Sequence, residues 1–460
     1  MKRSKDFTLI ELAVVLCVLT VITTLIVGCG AVKSLSGGGG YDPDPPGYAR
    51  PPDMGGADLS FDYEEMTVNT PTGIITGLAK LDITVELETP PAGVQSRAIA
   101  PDEEGPYLWG YKRLTFLVPD LQPGENIIGL KITYPDSKME TKTIKIRYDP
   151  NMSLEGRQLI IASNRKFSVI YDFASGKPVS VLTDICRLVA TAEEGIGIGS
   201  TYDGSDQLNL VKYDIYHRQV LETIGHVQDF EGLLDGVTVM YSPESQRRVL
   251  LNTRTGEKTE FELSSEDSPR LESVSPSGRY YVVWKYDNTS QGTYYIVKDR
   301  QDNSETEYYV LYKDNLAYSQ TAINNNGDVI IAGYEWASGS VIFLHNGTMA
   351  ITGKLEDLVG DTVFAGQYAF IGADSNPAFG QPKIYRFNCE TGAMEGSANW
   401  PGSQLALTPQ GNLIAATSRS AAHAYSFYYR AVVLSLPDLT RIGPEICPPK
   451  EVTDLSAVGL

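Results

Sequence analysis

The chain has 460 residues, 42% apolar and 21% charged, with a formal net charge of −19 at pH 7. That length allows two or three domains, and the apolar share is too high for a disordered chain. The acidic balance, with no basic stripe anywhere, argues against nucleic acid as a partner, because nothing would neutralise the phosphates.

Residues 1–29 place Lys2, Arg3 and Lys5 ahead of an apolar run from Phe7 to Gly28 that ends at Cys29. A basic segment before an apolar run is an export or anchoring signal. The cations hold the N-terminus in the cytoplasm and send the rest across. The stretch Asp6-Phe7-Thr8-Leu9-Ile10-Glu11-Leu12 resembles the type IV prepilin signal. That likeness implies a cut between Asp6 and Phe7, with Glu11 at the family's fifth position and Asp6 where the family has glycine. The stretch Ile26-Val27-Gly28-Cys29 resembles a bacterial lipobox, which implies lipidation of Cys29 as the first mature residue. Gly30 beside it is similar to proteins sorted to an outer membrane. A run of roughly 20 residues could also stay as a membrane span. Each reading implies a membrane-anchored, extracytoplasmic protein, in the periplasm or at the cell surface.

Residues 30–56 are rich in Gly, Pro, Asp and Tyr, as in Tyr41-Asp42-Pro43-Asp44-Pro45-Pro46-Gly47, and form a spacer without a core. Residues 57–149 alternate. Leu81–Leu87, Leu114–Val118, Ile127–Tyr134 and Thr143–Tyr148 read as strands, with turns at Gln122-Pro123-Gly124 and Pro135-Asp136-Ser137. About seven short strands in such a segment fit a β-sandwich. Leu121-Gln122-Pro123-Gly124-Glu125-Asn126 before the final hairpin resembles bacterial immunoglobulin-like domains, with Trp109 as the candidate aromatic anchor.

From residue 150 to 460 a glycine followed by a strand-forming run recurs at Gly156, Gly195, Gly236, Gly278, Gly327, Gly366 and Gly411, spaced 39 to 49 residues apart. With 27 tyrosines, 43 glycines and no sustained helical period, that spacing predicts an all-β propeller of four-stranded blades. Seven blades are expected. The first lacks room for its leading strand between residues 150 and 156, and Val452–Gly459 carries the missing pattern, so the C-terminal strand is expected to complete the first blade. The turn Asp172-Phe173-Ala174-Ser175-Gly176-Lys177 resembles the quinoprotein propeller repeat, with similar turns at Asn252–Lys258 and Asn388–Ala393. The arrangement also resembles the propeller lipoproteins that scaffold outer-membrane protein assembly.

No catalytic, metal-binding or cofactor motif emerges. His217, His226, His345 and His423 form no paired-ligand spacing, and His217 reads as an exposed turn residue. Asp203-Gly204-Ser205-Asp206 and Asn324–Asp328 read as turns rather than calcium loops. Among Cys186, Cys389 and Cys447 at most one bridge is possible, Cys389 with Cys447, and free or buried thiols fit better. Tyr280, Tyr281, Trp284 and Tyr286 form the densest aromatic group and are a candidate binding surface, although strand pairing explains them equally well. Two functions follow. One is non-catalytic binding or scaffolding of a protein or glycan at the cell envelope. The other is an enzyme, of lyase, hydrolase or quinoprotein type, acting through the central channel.

Overall fold

The computed structural model describes residues 58–460, apart from 81, 89–110, 203–207, 244–246, 263–269, 288–291, 312–317, 336–337, 346–347, 356–357, 375–382, 401–403, 417–429 and 450–451. The prepilin-like and lipobox residues Asp6, Phe7, Glu11 and Cys29, the spacer, and Trp109 lie outside the described residues. Every described element is a strand. No described helix is long and apolar enough to cross a membrane.

Two sheets come first. Strands β1 (Leu59–Phe61), β3 (Gly73–Lys80) and β5 (Tyr111–Val118) pair antiparallel, in the order β1-β3-β5. The second sheet contains β2 (Glu65–Val68), β4 (Thr84–Leu87), β6 (Gly124–Thr133) and β7 (Met139–Tyr148), in the order β2-β7-β6-β4. The β2–β7 pair is parallel. Val68, Ile75, Phe116, Leu130, Ile132 and Ile144 come from both sheets and bury one core. Period-2 alternation produces this, since β7 turns Ile144 and Ile146 inward and Lys145 and Arg147 outward. The strand expected to begin at Leu81 begins at Thr84 instead, because Ile83 N–H closes a turn on the Lys80 carbonyl. The Leu-x-x-Gly-x-Asn motif has a local cause. Asn126 Oδ1 accepts from Gln122 N–H at 3.0 Å, and its Nδ2 donates to the Gln122 carbonyl at 2.8 Å, fixing the turn into β6.

The remaining strands form a β-propeller of seven four-stranded antiparallel sheets, called blades below, among the described residues. Six of them run consecutively along the chain. The first takes three strands from Leu159–Leu182 and its fourth from Asp454–Val458, which pairs antiparallel with Leu159–Ser163. All seven ladder glycines are left-handed, with φ between 61° and 86°, and Gly459 matches them at 71°. At Gly278 the requirement is plain. Its N–H closes on the Ser275 carbonyl at 2.8 Å, and the chain reverses into the next strand.

The outer hairpins repeat a second device. An Asp or Asn accepts backbone N–H groups of the turn, as Asn252 Oδ1 does from Arg254 and Thr255 and Asn388 Oδ1 does from Glu390 and Thr391. A left-handed residue follows: Gly176, Gly256 and Gly392 in three blades, but Arg218, Asn303 and Leu439 in three others.

The sandwich is docked on the first and last blades. Asn69 N–H donates to the Val179 carbonyl at 2.9 Å, Tyr63 Oη donates to the Gly176 carbonyl at 2.8 Å, and Val181 N–H donates to Thr70 Oγ1 at 3.0 Å. Arg113 of β5 pairs with Asp62 at 2.6 Å and also donates to the carbonyls of Cys447 and Pro448, at 3.2 and 3.0 Å. Ile74 of β3 joins a core made mainly by the first and seventh blades.

Candidate functional site

The first strands of the blades are Asp454–Val458, Cys186–Ala190, Asp229–Leu233, Arg270–Val274, Tyr318–Ile323, Leu358–Ala365 and Gln404–Leu407. They lie against one another and place Asp454, Arg187, Glu231, Glu272, Asp361 and Gln404 in one axial group. Five to eight residues separate each of these from its ladder glycine.

Most of these groups bridge blades. Arg187 sits in a bulge with φ 53° and is the anchor. Its Nε donates to Asp454 Oδ2 of the first blade at 3.1 Å, and its two Nη atoms reach Asp229 Oδ1 and the Phe230 carbonyl of the third. Its guanidinium lies 4.5 Å from the Phe230 ring centroid. Arg248 Nη1 donates to Glu231 at 3.2 Å within the third blade. Thr321 of the fifth blade stands 3.5 Å from Glu272 of the fourth. Leu405 N–H of the seventh donates to Asp361 Oδ2 of the sixth at 3.2 Å. Gln404 Nε2 of the seventh donates to the Thr453 carbonyl, beside the first, at 2.6 Å.

The environment of these groups shifts their proton affinities. Burial pushes Asp361 up to about 6, with Glu231 adding to the rise and the Leu405 N–H opposing it. Asp361 is half-buried by area, and the protein packed around its carboxyl accounts for the rise. Burial also raises Glu231, Glu272 and Asp454, against the cations Arg248 and Arg187. Burial disfavours the Arg187 charge, but Asp454 and Asp229 more than offset it and hold the proton more tightly than usual. A carboxyl held as Asp361 is can donate as well as accept a hydrogen bond near pH 6. No group of three or more His, Cys, Asp or Glu among the described residues has the arrangement to hold a metal ion.

The aromatic candidates separate. Tyr280, Trp284 and Tyr286 alternate with Tyr281 along Tyr280–Asp287. Tyr280 and Trp284 pack on the core between the fourth and fifth blades. Tyr281 packs on the core of the third and fourth, edge-on to Phe261 with ring centroids 5.7 Å apart. Cross-strand packing thus accounts for Tyr280, Tyr281 and Trp284.

His217 lies in an exposed outer hairpin 2.8 Å from Asp214, which raises its proton affinity. His345 Nδ1 is 2.5 Å from Asp328. Asn324 Oδ1 accepts from Asn326 and Asp328 N–H at 2.9 and 3.0 Å, so this segment is a turn. Cys186, Cys389 and Cys447 are free, so the possible Cys389–Cys447 bridge is not formed. Cys389 packs in the core of the fifth and sixth blades, whereas Cys447 lies beside Arg113 and Tyr63 at the sandwich. Trp400 docks one blade on the next, its Nε1 donating to the Leu439 carbonyl at 3.0 Å.

The axial charges escaped the sequence reading. An isolated Asp or Glu on an alternating strand looks like a solvent-facing residue. Their recurrence just ahead of Gly195, Gly236, Gly278, Gly366 and Gly459 is the signal that could have found them.

No family model matches the chain, and no curated protein sequence matches it. Among solved structures it is similar to apo AztD from Citrobacter koseri, at 11% identity and TM-score 0.40, covering 66% of this chain and 97% of that one. It is also similar to a quinoprotein alcohol dehydrogenase-like protein from Bacteroides thetaiotaomicron, at 9% identity and TM-score 0.39, covering 85% of this chain and 96% of that one. A third is hydrazine synthase of Kuenenia stuttgartiensis, at 15% identity and TM-score 0.39, covering 62% and 94%. At these identities the likeness concerns the fold alone.

Proposed function

We propose that the chain is an exported, membrane-tethered, non-catalytic binding or scaffold protein of a bacterial envelope. In this reading Cys29 carries the anchor and residues 30–56 are the spacer. Residues 57–149 are an immunoglobulin-like sandwich, and residues 150–460 are a seven-bladed ring closed by the C-terminal strand. The observation that supports a binding role over catalysis is the use made of the axial charges. Arg187, Asp361 and Gln404 hydrogen-bond to neighbouring blades and tie them together. Groups engaged in holding a ring leave its faces and rim for recognition. The docked sandwich supports the same reading, because it joins the two parts through buried contacts rather than a hinge.

The test is complementation of a strain deleted for this chain. A variant carrying Glu231→Gln and Asp361→Asn restores whatever envelope defect the deletion causes, whereas Cys29→Ala, released from the membrane fraction, does not. An axial variant that folds and anchors but fails to restore would favour the channel enzyme instead. Mass spectrometry of the membrane-extracted N-terminus separates the anchors, since a diacylated Cys29 supports the lipoprotein and a methylated Phe7 the prepilin-like reading.

A further inference from the structure

A second site lies away from the axis, where the outward face of β7 and β2 meets the first blade. A cleft of about 380 Å³ opens there, within the size range of small-molecule sites, roughly 300–1,000 Å³. Lys145, Arg147, Arg157 and Lys177 line it, facing Glu65, Glu125 and Asp172. In a chain of net charge −19 this is a local excess of cations.

The cations have capacity to spare. Lys145 and Arg147 stand two residues apart on one face of β7, exposed, and neither side chain makes an ion pair or hydrogen bond among the described residues. Arg157 holds Asp172 only at 3.9 Å, and the Lys177 ammonium is 3.9 Å from the Glu65 carboxylate. Docking fixes the walls, since Lys177 Nζ also donates to the Glu65 carbonyl at 3.2 Å. Met66, Met152, Pro178 and Val179 add apolar surface to the lining.

We propose that this cleft binds an acidic saccharide, a polyhydroxylated ring bearing one carboxylate or phosphate. Lys145 and Arg147 take the oxyanion, with the Arg147 fork matching its paired oxygens. Glu65 and Glu125 are acceptors for ring hydroxyls, and the methionine and proline side chains meet the C–H face. A neutral sugar would leave Lys145 and Arg147 unmatched, and a simple anion would leave Glu65 and Glu125 without a hydroxyl donor. Both features of the lining call for a ligand that carries charge and hydroxyls together.

The test is calorimetric titration of the full chain with glucuronate, glucose 6-phosphate, glucose, acetate and inorganic phosphate. Glucuronate or glucose 6-phosphate binds, and the stronger of the two identifies the oxyanion. Glucose, acetate and phosphate bind at least about tenfold more weakly. The double variant Lys145→Gln/Arg147→Gln loses at least about tenfold in affinity, because two charge-assisted bonds go. Its thermal midpoint stays that of the wild type, because both residues are exposed. Lys131→Gln on β6, outside the cleft, binds as the wild type does. The proposal is overturned if neither acidic sugar binds, if acetate or phosphate binds as well as they do, or if the double variant binds unchanged.

Discussion

Removing Arg113 is expected to undo the union of sandwich and propeller. Its side chain is 4% exposed and that of its partner Asp62 is 13% exposed. Burial opposes the guanidinium charge, and Asp62 beside it restores that charge and holds it. Arg113→Ala would strand the Asp62 carboxylate and deprive the Cys447 and Pro448 carbonyls of a donor. Breaking one side of a buried pair costs about 3–5 kcal/mol. Replacing both partners by apolar residues removes the stranded charge but not the stranded carbonyls. Arg113→Met with Asp62→Leu should therefore cost only about 1–2 kcal/mol. The assay is urea unfolding followed by fluorescence and near-ultraviolet dichroism, with limited proteolysis after Asp149 to report undocking. If the sandwich undocks first, the two optical transitions separate in Arg113→Ala and coincide in the wild type. Because the pair is buried, 1 M salt should leave the difference in place, at a screening length of about 3 Å. A cost below about 1 kcal/mol for Arg113→Ala, or a paired variant no better than the single one, would refute the account.

Three further outcomes follow from the fold and the axis. Gly236→Ala should destabilise by more than the ~1–2 kcal/mol of a left-handed backbone, because its Cβ would meet the Thr408 carbonyl oxygen at 2.8 Å. Gly366→Ala, with open space around it, should cost that backbone term alone, and equal losses in thermal melts would contradict the packing argument. Asp361 titrates near 6 when folded against 3.8 when unfolded, so its stabilising effect is complete below about pH 4 and is lost as pH rises through 6. Asp361→Asn should therefore be more stable than the wild type by about 3 kcal/mol at pH 8 and show no such gain at pH 4; the same gain at both would rule this out. Burial pushes the Cys389 and Cys447 thiols up to about 12. Iodoacetamide at pH 8 should label them only after unfolding, and a Cys389–Cys447 disulfide peptide would contradict the free thiols.

The propeller was legible because its turns impose a requirement that only a few residues meet. Each ladder position needs a left-handed backbone, and glycine at every rung made a period visible. The outer hairpins were half legible for the same reason. Gly176, Gly256 and Gly392 announce them, but Arg218, Asn303 and Leu439 hold the same conformation without a glycine to mark it. Arg218 and Leu439 are compensated by contacts far away in sequence. Arg218 donates to the Asn69 carbonyl on the sandwich, and Leu439 is buried beneath Trp400. No local pattern could carry that information.

The axis was illegible for a different reason, and that reason bears on what it does. Apolar burial joins neighbouring blades without directional preference, and polar contacts add the direction. Arg187 shows how strongly the chain enforces such contacts. A non-glycine residue at φ 53° is strained, and the strain places one guanidinium against Asp454, Asp229 and the Phe230 carbonyl. Asp361 and Gln404 repeat the device at the later joints, where the charge or amide meets backbone instead. Asp361 Oδ2 accepts the Leu405 N–H of the next blade and so fixes the angle at that joint.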